Sequence, residues 1–415
     1  MTNMTKKKII PMKKFILMIA AFTLSAAIYA QPQYLKHVAP AQAGMNAAKL
    51  ARVDTIMNQA VKAKDIPGGV VAVVRGDKIV YLKAFGHKSV YPTVTPMTTN
   101  TVFDLASCSK SVSTAICIMQ LMEQGYIKLN DNVNRFIPDY EPYVDPVTGE
   151  KTDIRIVDLM THSSGLPAYV NPSEIEKKYG NDDPKSLIDW IAHCKRDFKP
   201  GEKFQYSCLN FITLQNILQN ITGQKLCDYA QKNVFDKLGM GHTTYSPKLQ
   251  NKTAIMKLVA PTEIQPDSTC LLGEVHDPLA RIIGKGNSGN AGVFSSAEDL
   301  ALLAAALMNG GAYGGRRILS PQTVKTMTKV PDSVKQLGRS LGWDNYSPYS
   351  SQLGNFFTPY VTFGHSGYTG TSIAIDPVTK TAVIILAHRV HPHDGGGTVR
   401  NSCLIANVVA SAIME

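Results

Sequence analysis

The chain has 415 residues, 44% hydrophobic and 18% charged, with seven cysteines and a formal net charge of +11. That length is too great for one small core and favours two lobes, or one large domain with an insertion. The lysines and arginines are not clustered, which argues against a nucleic-acid-binding protein.

The first 30 residues have the pattern of a secretory signal peptide. Lysines precede an apolar run over 15–27, and Ala30 is a small residue before a cleavage point. The run is short for a membrane span, and no cysteine follows it that could carry a lipid. We therefore expect an exported, periplasmic or secreted protein without a stable membrane anchor. It would begin near Gln31, and loss of five leader lysines lowers the net charge from +11 to +6.

The N-terminal part of the remaining chain predicts a helix and then a β-hairpin. Residues 46–64 carry apolar side chains at helical spacing. Two apolar runs, 68–74 and 79–85, flank the turn Arg75-Gly-Asp77 and predict the hairpin. A tight turn explains Arg75-Gly-Asp77 better than a cell-adhesion motif does.

Helices dominate the predicted structure from Ser107 to about residue 300. Apolar residues after Ser107 recur with a helical period, and Gly125 is placed to end that helix. Further helices are predicted at 156–160, 186–194, 211–221 and 297–308. Strands return at 360–366, 371–376 and 381–387, and an apolar helix at 399–414 closes the chain.

Strands near both ends with helices between them predict an α/β (α+β) fold. Its antiparallel sheet would combine N- and C-terminal strands, flanked by helices, around a mostly helical inserted lobe. After the leader of 1–30, we expect a single domain over 31–415. Its α/β lobe would cover about 45–112 and 310–415, and its helical lobe about 113–309.

The motif Ser107-x-x-Lys110 carries the first candidate chemistry. At this spacing the two side chains share one helix face, with Cβ atoms roughly 5–6 Å apart. If burial lowers the pKa of Lys110, its neutral amine could take the proton of Ser107 and create a nucleophile without histidine. Alone, the pattern is common on solvated helices.

Two later segments supply candidate partners. Tyr206 lies at a junction between a loop and an apolar helix, where its phenol could relay a proton. His365-Ser366-Gly367 lies on the first C-terminal strand, where a substrate backbone could run alongside, His365 and Ser366 could donate hydrogen bonds, and Gly367 leaves room for close approach.

Taken in this order, the motifs resemble those of the serine β-lactamase and penicillin-binding-protein superfamily. The segments 159–167 (LMTHSSGLP) and 289–300 (GNAGVFSSAEDL) add to the likeness. The resemblance is strongest to the branch of class C β-lactamases, D,D-carboxypeptidases and esterases, and it covers nearly the whole mature chain.

The resemblance implies a β-lactamase/transpeptidase-like fold and a set of site residues. Ser107 would be the acylated nucleophile, with Lys110 and Tyr206 as the acid/base pair. His365, Ser366 and Gly367 would form the substrate-binding strand. The backbone N–H groups of Ser107 and Tyr368 would form the oxyanion hole. No metal or cofactor is implied.

Cys208 departs from the family pattern, which has asparagine two residues after the tyrosine. A thiol is a poor hydrogen-bond partner for a lysine or a substrate amide, so β-lactam hydrolysis is in doubt. Asn210 could substitute only if the backbone shifted. We also expect Cys108 near the site, either in the core or in a disulfide with Cys208, while a free Cys208 lining the pocket is the favoured reading.

The sequence therefore predicts an exported serine hydrolase that forms an acyl-enzyme with an ester, an amide or a D-amino-acid peptide. The substrate would be a small molecule or a peptide, and peptides derived from the cell wall are among the candidates. Alternatives are a D,D-carboxypeptidase or weak class C-like β-lactamase, and a penicillin-recognising binding or sensor protein that does not turn over. The oligomeric state stays open.

Two other readings are weaker. Near matches to the Gly-x-Ser-x-Gly nucleophile elbow at 286–290 and 364–368 each lack the last glycine, which disfavours an α/β-hydrolase. The segment His391-Pro-His393-Asp394 lacks a third ligand at useful spacing, so a solvated loop is preferred over a metal site.

Overall fold

The structure is a computed structural model and describes residues 34–414. Its main sheet has seven strands: β1 (Lys36–His37), β2 (Gly68–Arg75), β3 (Lys78–Ser89), β4 (Thr95–Pro96), β5 (Phe363–Ser366), β6 (Ser372–Asp376) and β7 (Thr381–Ala387). The order is β1-β3-β2-β7-β6-β5, with β4 paired to β3. All pairs except β1 with β3 are antiparallel. The predicted sheet of N- and C-terminal strands is confirmed.

The centre of the sheet is buried on both faces, which is why its strands are continuous apolar runs. Val71 and Val73 of β2 pack into a cluster with the helices near the two chain ends. Val70, Ala72 and Val74 point the opposite way, into the larger core shared with the middle of the chain. Alternate residues of a strand face opposite sides of a sheet, so one run supplies both cores.

Most helices match predicted positions with differences at the ends, whereas Pro172–Tyr179 and Pro321–Thr328 were not individually predicted. The main ones are Arg52–Lys62, Ile116–Glu123, Ile156–Met160, Pro172–Tyr179, Pro184–His193, Cys208–Thr222, Ala297–Met308, Pro321–Thr328 and Val399–Ser411. The helix predicted at 46–64 is divided into Ala47–Leu50 and Arg52–Lys62. The strand predicted at 360–366 begins only at Phe363. None of the helices in 34–414 is long and apolar enough to cross a membrane.

A small second sheet joins a segment just before Ser107 to two segments of the region that the sequence predicted as mostly helical. Phe103–Asp104 and Thr244–Tyr245 each pair with Val293–Ser295. This sheet was not predicted, because its strands have only two or three residues. It holds the segment before Ser107 against the segment after Asn290. The predicted leader at 1–30 lies outside the described residues, and the proposed division into two lobes stays a prediction.

Candidate active site

Ser107 and Lys110 lie together at the start of a buried helix. The helix is π-helical over Lys110–Ala115 and α-helical over Ile116–Glu123. Nζ of Lys110 is 3.0 Å from Oγ of Ser107 and 2.8 Å from the carbonyl oxygen of Asn290. Lys110 is fully buried, whereas Ser107 is partly exposed. The serine therefore faces a cleft while its partner amine is held inside the protein.

Asp104 fixes the turn that presents Ser107. Ala106 has a φ of +45°, a left-handed conformation that costs energy for a residue with a side chain. The buried carboxylate of Asp104 accepts hydrogen bonds from the N–H groups of Ala106 at 2.8 Å and His276 at 2.7 Å. These bonds hold the strained turn in place. Sequence reasoning missed this role of Asp104, although it directly precedes the motif.

Tyr206 lies beside Lys110, as the resemblance implied. Its ring centroid is 5.1 Å from Nζ of Lys110. Ser207 caps the helix Cys208–Thr222, so Tyr206 lies on the loop that enters it. The phenol oxygen of Tyr206 is buried and has no hydrogen-bond partner within residues 34–414. A buried hydroxyl without a partner is unusual and is consistent with a group that acts on substrate.

His162 supports the ring of Tyr206 from one side. The two rings stack with centroids 4.4 Å apart. Nδ1 of His162 accepts hydrogen bonds from the backbone N–H of Ser207 and the side-chain amide of Asn210, both at 3.1 Å. His162 has a φ of +56° and is fully buried. It belongs to the 159–167 segment noted for its family likeness, but its contact with Tyr206 could not be inferred from sequence.

Cys208 is free and reaches Lys110. Its Sγ lies 3.7 Å from Nζ of Lys110, a long and weak contact. Asn210 does not replace the missing asparagine, because it is buried and already bonded to His162 and Ser164. The carbonyl of Asn290 is instead the nearest oxygen to the lysine. Asn290 was part of the 289–300 segment, but no role had been assigned to it.

The alternative of a disulfide between Cys108 and Cys208 is wrong. Both cysteines are free. Sγ of Cys108 points into the core, 3.5 Å from the carbonyl oxygen of His365 and 3.7 Å from Oγ1 of Thr371. Successive positions of the helix face different directions, so Cys108 lies behind the serine and away from the tyrosine loop.

Gly367 brings strand β5 against the nucleophile turn. A Cβ at this position would lie 2.3 Å from the carbonyl oxygen of Leu105 and 2.3 Å from Oγ1 of Thr371. The glycine was expected to clear space for substrate. The structure shows a different reason for the glycine. The backbone of the protein itself, two residues before Ser107, occupies the space that a side chain would need.

His365 differs from its expected role as a hydrogen-bond donor to substrate. Nδ1 lies 2.7 Å from the carbonyl oxygen of Ser366, which can only accept, so Nδ1 carries the ring proton. Burial is the main cause that holds the pKa of His365 well below its usual range, and the positive charges of Arg339 and Lys110 add to it. The ring is neutral, and its buried Nε2 is an acceptor without a partner in the described chain. Ser366 lines the cleft.

The backbone N–H groups of Ser107 and Tyr368 make no hydrogen bond to other residues of 34–414. Both residues line the same cleft. Two such donors are what an oxyanion hole requires. Their assignment to that role stays a prediction.

The two candidate proton-transfer groups differ in their titration. Burial lowers the pKa of Lys110, but the adjacent Cys208 and Tyr206 outweigh burial, so that the pKa is raised overall. The condition that burial would leave a neutral amine is therefore not met. Burial raises the pKa of Tyr206, and the positive charge of Lys110 opposes that rise. The positive charge of Lys110 and a phenolate on Tyr206 therefore stabilise each other.

The cleft that contains Ser107 has a volume of about 640 Å³. Besides Ser107 and Tyr206, its lining includes His365 and Ser366 of β5. It is also lined by Arg389, Arg400, the segment 396–399 and Asp65. Arg389 is paired with Asp394 at 2.8 Å. The cleft thus contains the nucleophile together with two arginines, one of which is paired with a carboxylate.

The segment 391–394 was expected to be a solvated loop, but part of it is buried. His391 is buried. Its Nε2 accepts from the N–H of Val90 at 3.0 Å and its Nδ1 bonds the carbonyl oxygen of Thr262 at 2.8 Å. Both nitrogens are used structurally, so His391 anchors the loop.

Comparison with known proteins supports one family. A family model described as Beta-lactamase matches residues 53–401. Proteins named "Putative D-alanyl-D-alanine carboxypeptidase" from Salmonella agona and Escherichia coli K12 are each 30% identical to this chain. The first alignment covers 95% of both chains and the second covers 92% of both.

Solved structures show the same fold. EstCE1, described as a hydrolase with promiscuous acyltransferase activity, superposes with a TM-score of 0.68 at 23% identity, covering 88% of this chain and 99% of that one. A penicillin-binding protein homologue from Pyrococcus abyssi superposes with a TM-score of 0.65 at 22% identity. The superposition covers 86% of this chain and 76% of the homologue.

Proposed function

Because the chain belongs to the β-lactamase family and is a serine hydrolase, we propose that it works through an acyl-enzyme on Ser107. The observation that carries this proposal is the 3.0 Å contact between Oγ of Ser107 and the buried Nζ of Lys110, at the edge of an open cleft. Lys110 has no carboxylate within hydrogen-bonding distance in the described chain, so its charge is directed at the serine and tyrosine.

Acylation follows from the arrangement of groups. Oγ of Ser107 attacks the carbonyl carbon of an ester or amide, and its proton passes to the phenolate of Tyr206. Lys110 stabilises that phenolate and the developing charge on Oγ. The N–H groups of Ser107 and Tyr368 hold the oxyanion. The tyrosine proton then goes to the leaving alcohol or amine as the C–O or C–N bond breaks. Water attacks the acyl-enzyme by the same route and releases the acid.

The two arginines that line the cleft favour a substrate that carries a carboxylate. Arg389 and Arg400 line the cleft, where a negatively charged group would be attracted. A peptide ending in a D-amino acid carries such a group beside its scissile bond. This feature, with the names of the relatives, makes a D,D-carboxypeptidase the second candidate, while Cys208 favours esters over amides.

Three substrates separate the alternatives. We expect turnover of p-nitrophenyl acetate, slow or no turnover of nitrocefin, and release of D-alanine from a D-Ala-D-Ala peptide if the second candidate holds. Labelling by a fluorescent penicillin without any turnover would instead indicate the binding or sensor protein. Mass spectrometry after brief exposure to the activated ester should show one added acyl group on the peptide that contains Ser107.

Variants of the motif test the assignment. Ser107→Ala should abolish labelling and reduce ester turnover roughly 10⁴-fold or more, and Lys110→Ala should be nearly as severe, because groups that act as a unit are not additive. Ser173→Ala, at an exposed position on a separate helix, is the matched control. Substantial ester turnover in Ser107→Ala, with the fold intact, would refute the assignment.

We also propose that the chain is exported, on the basis of the lysine-rich and apolar sequence before residue 31. Expression of the full chain, followed by fractionation and N-terminal sequencing, checks this. A mature protein that begins near Gln31 is expected. Retention of the first 30 residues in the cytoplasmic fraction would contradict it.

A further inference from the structure

Arg339 is a fully buried cation beside the proposed catalytic tyrosine. It has no exposed side-chain surface. Its guanidinium carbon lies 5.6 Å from the ring centroid of Tyr206 and 5.5 Å from that of Phe204. It is 133 residues from Tyr206 in sequence and belongs to none of the three motifs. A cation over an aromatic face is attracted by the ring electrons, and more strongly when it is shielded from water.

Asp344 forms an ion pair with this cation. Nη1 of Arg339 is 2.5 Å from Oδ1 of Asp344, which also accepts from Oγ of Ser347 at 2.6 Å. The Asp344 backbone is in turn bridged to Gly364 of strand β5. The pair is thus fixed to the same strand that carries His365, so the guanidinium cannot drift from the tyrosine.

The ion pair leaves much of the guanidinium unused. Nε and Nη2 of Arg339 are buried and have no hydrogen-bond partner within residues 34–414. A buried arginine with a single carboxylate contact is expensive to desolvate and is poor evidence of a purely stabilising role. Its remaining charge acts on the aromatic groups around it.

Other charged and titratable groups also face Tyr206. Lys110 is the second cation, and burial holds the pKa of both His162 and His365 well below the usual histidine range, so these two are neutral. Burial raises the pKa of Cys208, and the positive charge of Lys110 opposes that rise. The groups that surround the ring are Lys110, His162, Cys208, Arg339, Tyr349 and His365. Asp344 faces Arg339, and Asp277 lies behind Lys110 and Cys208.

We propose that Arg339, held by Asp344, is a positioning residue that stabilises the phenolate form of Tyr206 and thereby sets the pH at which Ser107 is acylated. This inference rests on the proposed role of Tyr206 as the proton acceptor. Two permanent cations near the ring, Lys110 and Arg339, offset the cost of burying a phenolate. The carboxylate of Asp344 limits the effect of Arg339, because it neutralises part of that charge.

The proposal predicts opposite shifts in two variants. In Arg339→Gln the alkaline midpoint of kcat/KM for p-nitrophenyl acetate should rise by about one pH unit, since a nearby charge has been lost. On the rising limb this is about a tenfold loss of rate at fixed pH. In Asp344→Asn the midpoint should fall, because Arg339 is no longer neutralised. Arg339→Lys keeps the charge and should stay close to the parent midpoint.

A structural role alone would give a different result. Loss of packing would lower the rate in all three variants without moving the midpoint in opposite directions, and that outcome would overturn the proposal. Thermal unfolding of each variant shows whether it is folded. If Arg339→Gln fails to fold, the ultraviolet titration of Tyr206 decides. The absorbance difference between each protein and its own Tyr206→Phe derivative reports the phenolate of Tyr206. This phenolate should form at a lower pH in Asp344→Asn than in the parent. Formation at an equal or higher pH refutes the proposal.

Failure of this inference can be separated from failure of the proposed function. If the parent protein forms the acyl adduct on Ser107 and the Tyr206→Phe variant does not, the mechanism stands. It stands even when the pH midpoints of the Arg339 and Asp344 variants equal that of the parent. If the parent forms no adduct, or if Tyr206→Phe is fully active, the mechanism itself is wrong.

Discussion

Nζ of Lys110 lies 3.7 Å from Sγ of Cys208. The same nitrogen is only 2.8 Å from the carbonyl oxygen of Asn290. The lysine is therefore held by a backbone oxygen, and the thiol is a weak third neighbour. A side-chain amide at position 208 could both accept from Lys110 and donate to a substrate carbonyl, which a thiol does poorly.

Cys208→Asn tests whether this thiol sets the substrate class. We expect the variant to gain β-lactam acylation or amide turnover relative to ester turnover, by roughly tenfold, the equivalent of one added hydrogen bond. Cys208→Ser, which lacks the amide, is the control and should not reproduce the gain. The measurement is the ratio of kcat/KM for nitrocefin to that for p-nitrophenyl acetate. An unchanged ratio would identify Cys208 as an incidental packing residue.

The pH profile should show an alkaline limb and no histidine-controlled limb. Lys110 and Tyr206 both have raised pKa values, Lys110 because Cys208 and Tyr206 outweigh burial and Tyr206 because of burial. Activity should therefore increase above neutral pH as Tyr206 loses its proton. His365→Ala should raise KM more than it lowers kcat and leave the limb in place. A limb near pH 6.5 that disappears in His365→Ala would support a serine–histidine mechanism instead.

Gly367→Ala should separate strand β5 from the nucleophile turn. The added Cβ would lie 2.3 Å from the carbonyl oxygen of Leu105, so one segment must move. We expect a loss of about 1–3 kcal/mol in the free energy of unfolding and roughly 10²-fold in kcat/KM. Gly395→Ala is the control, because its nearest neighbour would be 4.0 Å away. Parent-like activity in Gly367→Ala would show that the close approach is not needed.

The buried histidine His388 should make the protein sensitive to acid. Burial, followed by the charge of His391, lowers its pKa to about 3, and its Nε2 donates to the carbonyl oxygen of Lys88 at 2.8 Å. The unfolded chain binds this proton near pH 6.5 and the folded chain does not, so stability falls as the pH drops from about 6.5 towards 3.

At pH 5 this single group costs about 2 kcal/mol. The difference in unfolding free energy between pH 7 and pH 5, measured by urea denaturation, should be smaller by about that amount in His388→Gln. Glutamine keeps a donor for Lys88 and carries no titrating proton. An equal pH dependence in both proteins would show that another group controls the acid response.

Local sequence pattern was enough to predict many of the strands and helices of this protein and its family. The apolar runs at 68–74 and 381–387 predict strands, because period and composition are properties of a short segment. The spacing of Ser107 and Lys110 likewise places both on one helix face, as helical geometry requires. The order of Ser107, Tyr206 and His365 along the chain carried the family resemblance, and family membership and fold were confirmed.

Long-range packing decided which side chains surround the site and how they affect one another. His162 and Arg339 lie against Tyr206 although 44 and 133 residues separate them from it, and no local pattern encodes such a contact. The protonation state of Lys110 depends on how burial competes with Cys208 and Tyr206, which are brought near only by folding. Gly367 matters because the Leu105 carbonyl fills the space of a side chain. In each case the deciding quantity is a distance between segments remote in sequence, and only the tertiary structure sets it.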